Sequence, residues 1–320
     1  MAKITALGEV LIDFSPVTTD SAGYPTMKAN PGGAPMNFLA AVVKYGHSGS
    51  MIGKVGNDAF GHLLLNTLND CGIDTTGMVT DDNSFTTLAF VTLDDKGDRR
   101  FSFARKPGAD TQLKYEEINL PLIENSDVFH FGTLSLTHQP AKNATIKAVE
   151  LAKEKGLIIS YDPNLRLSLW DSADSAKQAI LLGMKYADIV KISDEEVDFL
   201  WGCGCEEGAE KILSEYGPQL VYVTLGRNGC YYATKEHKGY ITNPQGIKPV
   251  DTTGAGDIFG GSAMSQMLKT GKKPARLTRN ELEAICHYAV CAAALSTEKT
   301  GGFTSIPDEA SVLRLMRESF

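Results

Sequence analysis

Two hydrophobic periods alternate along the chain. Short apolar runs recur at residues 4–7, 128–131, 157–161, 189–192 and 220–225. Runs of that length, rich in Ile, Val, Leu and Phe, read as buried strands. Between them apolar residues return every three or four positions, as in residues 35–45, 58–71, 145–155, 176–185 and 258–268. That is the period of a helix with one buried face. The helix ends are marked too. Pro35 stands in a first turn and Gly46 just past its end, while Asp58 caps the next helix and Gly72 closes it. Strands and helices in alternation predict an α/β fold with a mostly parallel sheet.

One region breaks this rhythm. Residues 86–93 and 99–104 are strand-like and joined by the turn Asp94-Asp95-Lys96-Gly97. Phe101 and Phe103 alternate with polar neighbours, so this hairpin has one apolar face. The reading is a small β lid beside the main body, with residues 15–29 as a further piece; an extra edge hairpin on the main sheet is the alternative. The lid then comprises roughly residues 13–31 and 84–106 of a single domain spanning all 320 residues.

Composition narrows the function classes. The net charge is −8 and no long basic run occurs, so there is no electrostatic footprint for nucleic acid. An anionic ligand must therefore be held by a local arrangement rather than by the overall field. No apolar run approaches the ~20 residues of a membrane span, and the first residues lack the pattern of a secretory signal. The six cysteines, at 71, 203, 205, 230, 286 and 291, have no zinc spacing and read as reduced thiols of a cytoplasmic protein.

The most informative stretch is Val250-Asp251-Thr252-Thr253-Gly254-Ala255-Gly256-Asp257, immediately before the helical run at residues 258–268. Gly254, Ala255 and Gly256 expose backbone N–H groups with no bulky side chain in the way. The helix N-terminus adds roughly half a positive charge. Together these make an anion site suited to phosphate. Asp257 then shares the same space as that anion, where the helix end is expected to lower its pKa and make it a weak base. Taken alone, the segment also fits an ordinary tight turn followed by a first-turn acid. No Gly-x-x-x-x-Gly-Lys-Ser/Thr run exists, which excludes a P-loop. Gly254, Gly256 and Gly260 miss the dinucleotide fingerprint by one residue.

The DTTGAGD run with its helix resembles the C-terminal signature of the ribokinase-like (PfkB) carbohydrate kinases. Pro31-Gly32-Gly33-Ala34-Pro35-Met36-Asn37 resembles the family's sugar-binding loop. Four further segments match in order: IGKVGNDAFG at 52–61, DPNLR at 162–166, KISDEE at 191–196 and Thr224-Leu225-Gly226. The resemblance thus covers nearly the whole chain and is greatest to bacterial fructokinases. Ala34 stands where ribokinases usually carry Lys; kinases of 2-keto-3-deoxygluconate are the nearest alternative. The implied fold is a ribokinase-like three-layer αβα body with a small β-sheet lid.

The resemblance also implies roles. Asp257 becomes the base, with Gly254, Ala255 and Gly256 holding the transferring phosphoryl group. Asp13, Gly32, Gly33, Asn37, Arg105 and Arg166 become sugar-binding, with Arg105 reaching over the sugar from the lid. Ser193, Thr224, Gly226 and Gly229 fall on the nucleotide, and Glu196 on a hydrated Mg²⁺. Some members bind K⁺; the matching oxygens come from Asp251, Thr253, Ser296, Gly301 and Ser305. The tail at residues 299–307 departs from the pattern common in fructokinases. The implied activity is transfer from ATP to a sugar's primary hydroxyl. Separately, the lid's apolar faces need cover and suggest a homodimer joined through the lid. A non-catalytic sugar- or nucleotide-binding regulator is the reading from another class.

Overall fold

A computed structural model describes residues 1–93 and 99–320; at residue 93 and residues 99–101 it describes the backbone only. The turn expected at residues 94–97 lies outside the described residues. The first half of the chain runs β1 (Lys3–Leu7), β2 (Leu11–Thr19), β3 (Pro25–Gly32), α1 (Ala34–Lys44), β4 (Ser48–Gly56), α2 (Ala59–Asp70), β5 (Ile73–Asp81), β6 (Leu88–Leu93) and β7 (Arg99–Ala104). Next come α3 (Leu120–Glu124), β8 (Val128–Gly132), α4 (Ala141–Glu154), β9 (Ile158–Asp162), α5 (Ala173–Met184), β10 (Ile189–Ser193), α6 (Asp194–Trp201) and α7 (Cys205–Glu215). The chain ends with β11 (Leu220–Thr224), β12 (Cys230–Ala233), β13 (Lys238–Ile241), α8 (Ala255–Lys269), α9 (Arg279–Ser296) and α10 (Glu309–Ser319).

Nine strands form one sheet in the order β13-β12-β11-β10-β9-β8-β1-β4-β5. It is parallel from β11 to β5, and only β12 and β13 run antiparallel to their neighbours. The alternation along each strand explains the two cores. On β8, Phe129 and Phe131 face one core while Val128 and His130 face the other. On β11, Val221 and Val223 face the first and Leu220 and Tyr222 the second. Helices α4, α5 and α7 supply the first core; α1, α8 and α9 supply the second. Both faces of the sheet are covered, as a parallel sheet requires.

The chain builds outward from β1 through β4 to β5, then returns to β8 on the other side of β1 and builds outward again to β11. The order therefore reverses between β1 and β8. In open α/β sheets ligands bind beyond the carboxyl ends of the strands at such a point. Glu9, Asp162, Ser193 and Thr224 all stand at these carboxyl ends.

The odd hairpin belongs to neither edge of this sheet. β6 and β7 join β2 and β3 in a separate four-stranded sheet, ordered β3-β2-β6-β7. It takes in more of the chain than residues 15–29, because β2 starts at Leu11 and β3 ends at Gly32. Phe14 stacks on Phe90 at 5.1 Å and meets Phe60 of α2 edge-on at 5.6 Å, tying the small sheet to the body.

Candidate active site

Helix α8 begins three residues earlier than its apolar period suggests, at Ala255. Gly254 has a φ of +76°, a left-handed value that favours glycine, and no side chain caps the first turn. Ala255 and Gly256 are thus helical residues, and Asp257 is the third residue of the helix rather than its edge. Among the described residues, the N–H groups of Gly254, Gly256 and Asp257 have no acceptor. Three orphan donors at a helix N-terminus are what a phosphate oxygen requires.

Two glycines further along set α8 against α1. A Cβ on Gly261 would stand 2.4 Å from the Phe38 carbonyl oxygen, so only glycine allows this approach. Close packing brings the Asn37 Nδ2 within 2.9 Å of the Asp257 carboxylate, to which it donates. The Oδ1 of Asn37 accepts from the Phe303 N–H at 3.0 Å, which fixes the amide's orientation. Asp257 is half-buried, and burial raises its carboxyl above the usual value. Lys191, the Asn37 bond and Arg166 pull the other way without cancelling it. The expectation of a lowered pKa is therefore corrected: desolvation outweighs the helix end. Asp257 is the better base for it.

The paired glycines of residues 31–37 have separate reasons. A Cβ on Gly32 would stand 2.4 Å from the Asp13 carboxylate. Gly33 has a φ of +119°, and a Cβ there would meet the Glu9 carbonyl at 2.4 Å. Asp13, Asn37, Arg166 and Asp257 face one cleft of about 440 Å³, together with Glu9 and Lys191. Burial pushes Asp13 up to about 6, partly offset by Arg166, and Glu9 up to about 7. Glu9 accepts from the Ala34 N–H at 3.0 Å.

Glu9 lies outside the matched motifs, and Lys191 and Asn164, though inside matched segments, carry no role in the motif reading. Asn164 holds a φ of +48°, uncommon outside glycine, and turns the 162–166 loop into the cleft. Its one sequence signal is an Asn directly after a Pro. Glu9 follows Gly8 at the end of an apolar run and Lys191 interrupts another, and neither setting alone marks a ligand.

Arg105 is a second correction. It is 4% exposed, and its guanidinium donates to Asp110, Thr137 Oγ1 and the Leu134 carbonyl. The Asp110 contact is a 2.6 Å ion pair. With these donors committed inside the protein, Arg105 does not reach over the cleft. Leu134, which it holds, lines the cleft instead.

A second cleft, of about 600 Å³, adjoins the first. Thr252 and Gly256 border both. Ser193, Thr224, Gly226 and Gly229 all face it. Gly226 and Gly229 are also turn residues between the antiparallel strands β11 and β12; both have positive φ. The α8 and α9 side of its wall is mostly apolar, with Phe259, Val290, Ala293 and Ala294, while Asp194, Glu195, Arg227 and Asn243 bring polar groups to the other side.

Ser193 caps α6, accepting from the Glu196 N–H, while Glu196 accepts from the Ser193 N–H at 2.8 Å. The other Glu196 oxygen accepts from the Leu165 N–H at 2.6 Å, so this acid ties the 162–166 loop to α6. The five oxygen donors expected for K⁺ sit on converging segments. Asp251 accepts from the Thr253 and Gly301 N–H groups at 2.9 and 3.0 Å. The N–H groups of Val250 and Asp251 bond the Thr297 carbonyl, next to Ser296. Ser305 is buried in the turn that starts at Gly302, and Gly302 lies against Gly254.

Comparison with known proteins gives the family. The model of the pfkB family carbohydrate kinases matches residues 1–309. The chain is 39% identical to fructokinase-1 of Oryza sativa subsp. japonica, over 99% of this chain and 98% of that one. It is 40% identical to fructokinase-2 of Solanum habrochaites, over 98% and 96% of the two chains. A fructokinase from Xylella fastidiosa solved with bound ATP superposes with a TM-score of 0.90, at 28% identity over 99% of this chain and 98% of that one. A Vibrio cholerae O395 fructokinase variant solved with fructose, ADP and a potassium ion gives 0.87, at 30% identity over 99% and 98%. The chain belongs to the pfkB family and is a carbohydrate kinase.

Proposed function

We propose that the protein transfers the γ-phosphate of ATP to the primary hydroxyl of D-fructose, giving fructose 6-phosphate. One observation carries this reading: a polar cleft and a more apolar cleft meet at Thr252 and Gly256, just before and on the first turn of α8. A sugar in the first and a nucleotide in the second would bring the hydroxyl and the γ-phosphate together beside Asp257. The names of the relatives supply the choice of fructose.

Each residue then has a task. Asp13 and Asn37 accept and donate hydrogen bonds to sugar hydroxyls, with Gly32 and Gly33 clearing space for Asp13 and the backbone. Arg166 faces the same cleft and offsets the charge of Asp13 and Asp257. Asp257 takes the proton from the attacking hydroxyl. The N–H groups of Gly254, Gly256 and Asp257 would hold the phosphoryl oxygens, the Ala255 N–H being given to the Thr252 carbonyl; this relies on position and charge rather than covalent chemistry. The small sheet, reaching the cleft at Asp13 and Phe103, is placed to act as a lid that limits ATP hydrolysis by water.

The donor sets fit two cations. Glu196 keeps a free lone pair on each oxygen beside its backbone bonds, suiting contact with Mg²⁺ through water; Mg²⁺ supplies charge neutralisation on the phosphates. The segments at Asp251, Thr253, Ser296, Gly301 and Ser305 converge behind Gly254, where K⁺ would steady the first turn of α8. Val17 on β2 and Tyr24 in the turn before β3 are 63% and 72% exposed, and a homodimer through the small sheet would cover them. Free cysteines support a cytoplasmic location. No helix among the described residues is long and apolar enough to cross a membrane.

A coupled assay with MgATP and a panel of fructose, ribose and 2-keto-3-deoxygluconate tests the proposal. Fructose is expected to give the highest kcat/KM. A preference for either other sugar overturns the substrate, and no sugar-dependent ADP formation overturns catalysis itself.

A further inference from the structure

The cleft beside Asp257 has an electrostatic problem. Glu9, Asp13 and Asp257 face it, and Asp162 and Glu196 lie just behind. A triphosphate adds further negative charge to a chain of net charge −8. Backbone amides supply only partial charges. Two full positive charges face the cleft, Arg166 and Lys191.

Lys191 projects from β10, on the face of the sheet that α1 and α8 cover, toward the first turn of α8. Its Nζ lies 2.9 Å from the place a Cβ on Gly256 would occupy. It is held there by Asp162 at 2.9 Å, at the end of the neighbouring strand β9. One oxygen of Asp162 is given to Lys191, and the other has no donor among the described residues. A buried carboxylate with a single partner makes sense as the holder of that ammonium. His130, under the same pair, stacks on Phe38 at 3.7 Å and is driven down to about 3 by burial, so it adds no competing charge.

We propose that Lys191 is a catalytic residue, its ammonium contacting the phosphoryl group in transit beside the α8 amides, and that Asp162 positions it. The inference rests on the kinase reading above. The sugar oxygen forms its bond to the γ-phosphorus as the bond to the β–γ bridging oxygen breaks. The hydroxyl proton passes to Asp257, ADP leaves with the electron pair, and Lys191 stays protonated throughout.

Gly256 gives a clean probe, because an added Cβ has no heavy atom within 4 Å other than two of Lys191. Lys191→Met is expected to lower kcat about 10²- to 10³-fold with little change in the KM for fructose. Gly256→Ala, which displaces the amine, is expected to lower kcat about tenfold alone and to cost nothing more when added to Lys191→Met. Asp162→Asn should lower kcat and leave the KM for fructose unchanged, as expected of a residue that acts through Lys191. A second readout is binding. ADP, fructose and aluminium fluoride should raise the melting temperature of the wild type further than ADP and fructose alone, and Lys191→Met should lose that extra rise. Wild-type turnover or an intact extra rise in Lys191→Met overturns the role, as does an undiminished cost of Gly256→Ala in that background. If Lys191→Met fails to fold, Gly256→Ala decides: unchanged kcat overturns the role. Sugar-dependent turnover by the wild type is the control that separates these failures from failure of the kinase reading.

Discussion

The two clefts that meet on α8 are built from opposite materials. The cleft proposed for the sugar is walled by directional groups: the carboxylates of Glu9, Asp13 and Asp257, the Asn37 amide, Arg166 and Lys191. The cleft proposed for the nucleotide has a broad apolar side of Phe259, Val290, Ala293 and Ala294, closed by the loop at residues 243–249. A sugar is a ring of hydroxyls, and discrimination among sugars needs hydrogen bonds that a wrong isomer leaves unmade. A flat base is held by apolar contact, which tolerates substitution. On the proposed assignment, the difference concentrates specificity on one side, while the other side takes a common donor. The first turn of α8 is the one element both sides share.

Disabling the shared turn should therefore have the largest effect. Asp257→Asn is expected to lower kcat about 10²-fold or more, with little change in either KM, because it removes the base and leaves both walls intact. Steady-state kinetics with each substrate varied checks this.

Next come changes that separate the walls. Gly32→Ala places a Cβ against the Asp13 carboxylate, 2.4 Å away, and must swing it aside. The KM for fructose should rise about tenfold or more, and that for ATP should hold. Ala294→Phe fills the other cleft and should do the reverse, raising the KM for ATP about tenfold and sparing fructose. If either variant shifts both constants equally, the clefts are not the separate sites described.

The last expectation concerns stability rather than turnover, and does not distinguish the two clefts. Burial lifts Glu9 from 4.5 to about 7, so the folded protein binds a proton there that the unfolded chain has released. On this group's account stability falls as pH rises from about 4.5 to 7, by about 3 kcal/mol. Glu9→Gln keeps an acceptor for the Ala34 N–H without the charge. Urea unfolding midpoints at pH 5 and pH 7.5 should differ less in this variant than in the wild type.

The same contrast decides what the sequence could disclose. The sugar-side residues Gly32, Gly33, Asn37 and Asp257 lie in short runs whose glycines have steric reasons, so they are legible before any coordinates. The nucleotide wall is not: Val290, Ala293 and Ala294 follow the ordinary apolar period of a buried helix, and only the position of α9 makes them ligand-facing. Lys191 reads as a polar interruption in a buried strand until Gly256 is seen above it. Arg105 misleads for a related reason. Its partner Asp110 is five residues away, but the buried fork they form depends on Leu134 and Thr137, which only the fold brings near. The separate small sheet was foreshadowed by an apolar alternation with no place in a parallel sheet. Its strand order was not, because β2 and β6 pair across residues 20–87.

A structure with fructose, ADP and aluminium fluoride bound would test the meeting of the two clefts most directly. The account predicts the fluoroaluminate on the N–H groups of Gly254, Gly256 and Asp257, with the fructose 6-hydroxyl oxygen about 3 Å from the Asp257 carboxylate. A fluoroaluminate bound away from the first turn of α8, or a sugar whose hydroxyls all point away from residue 257, would contradict it.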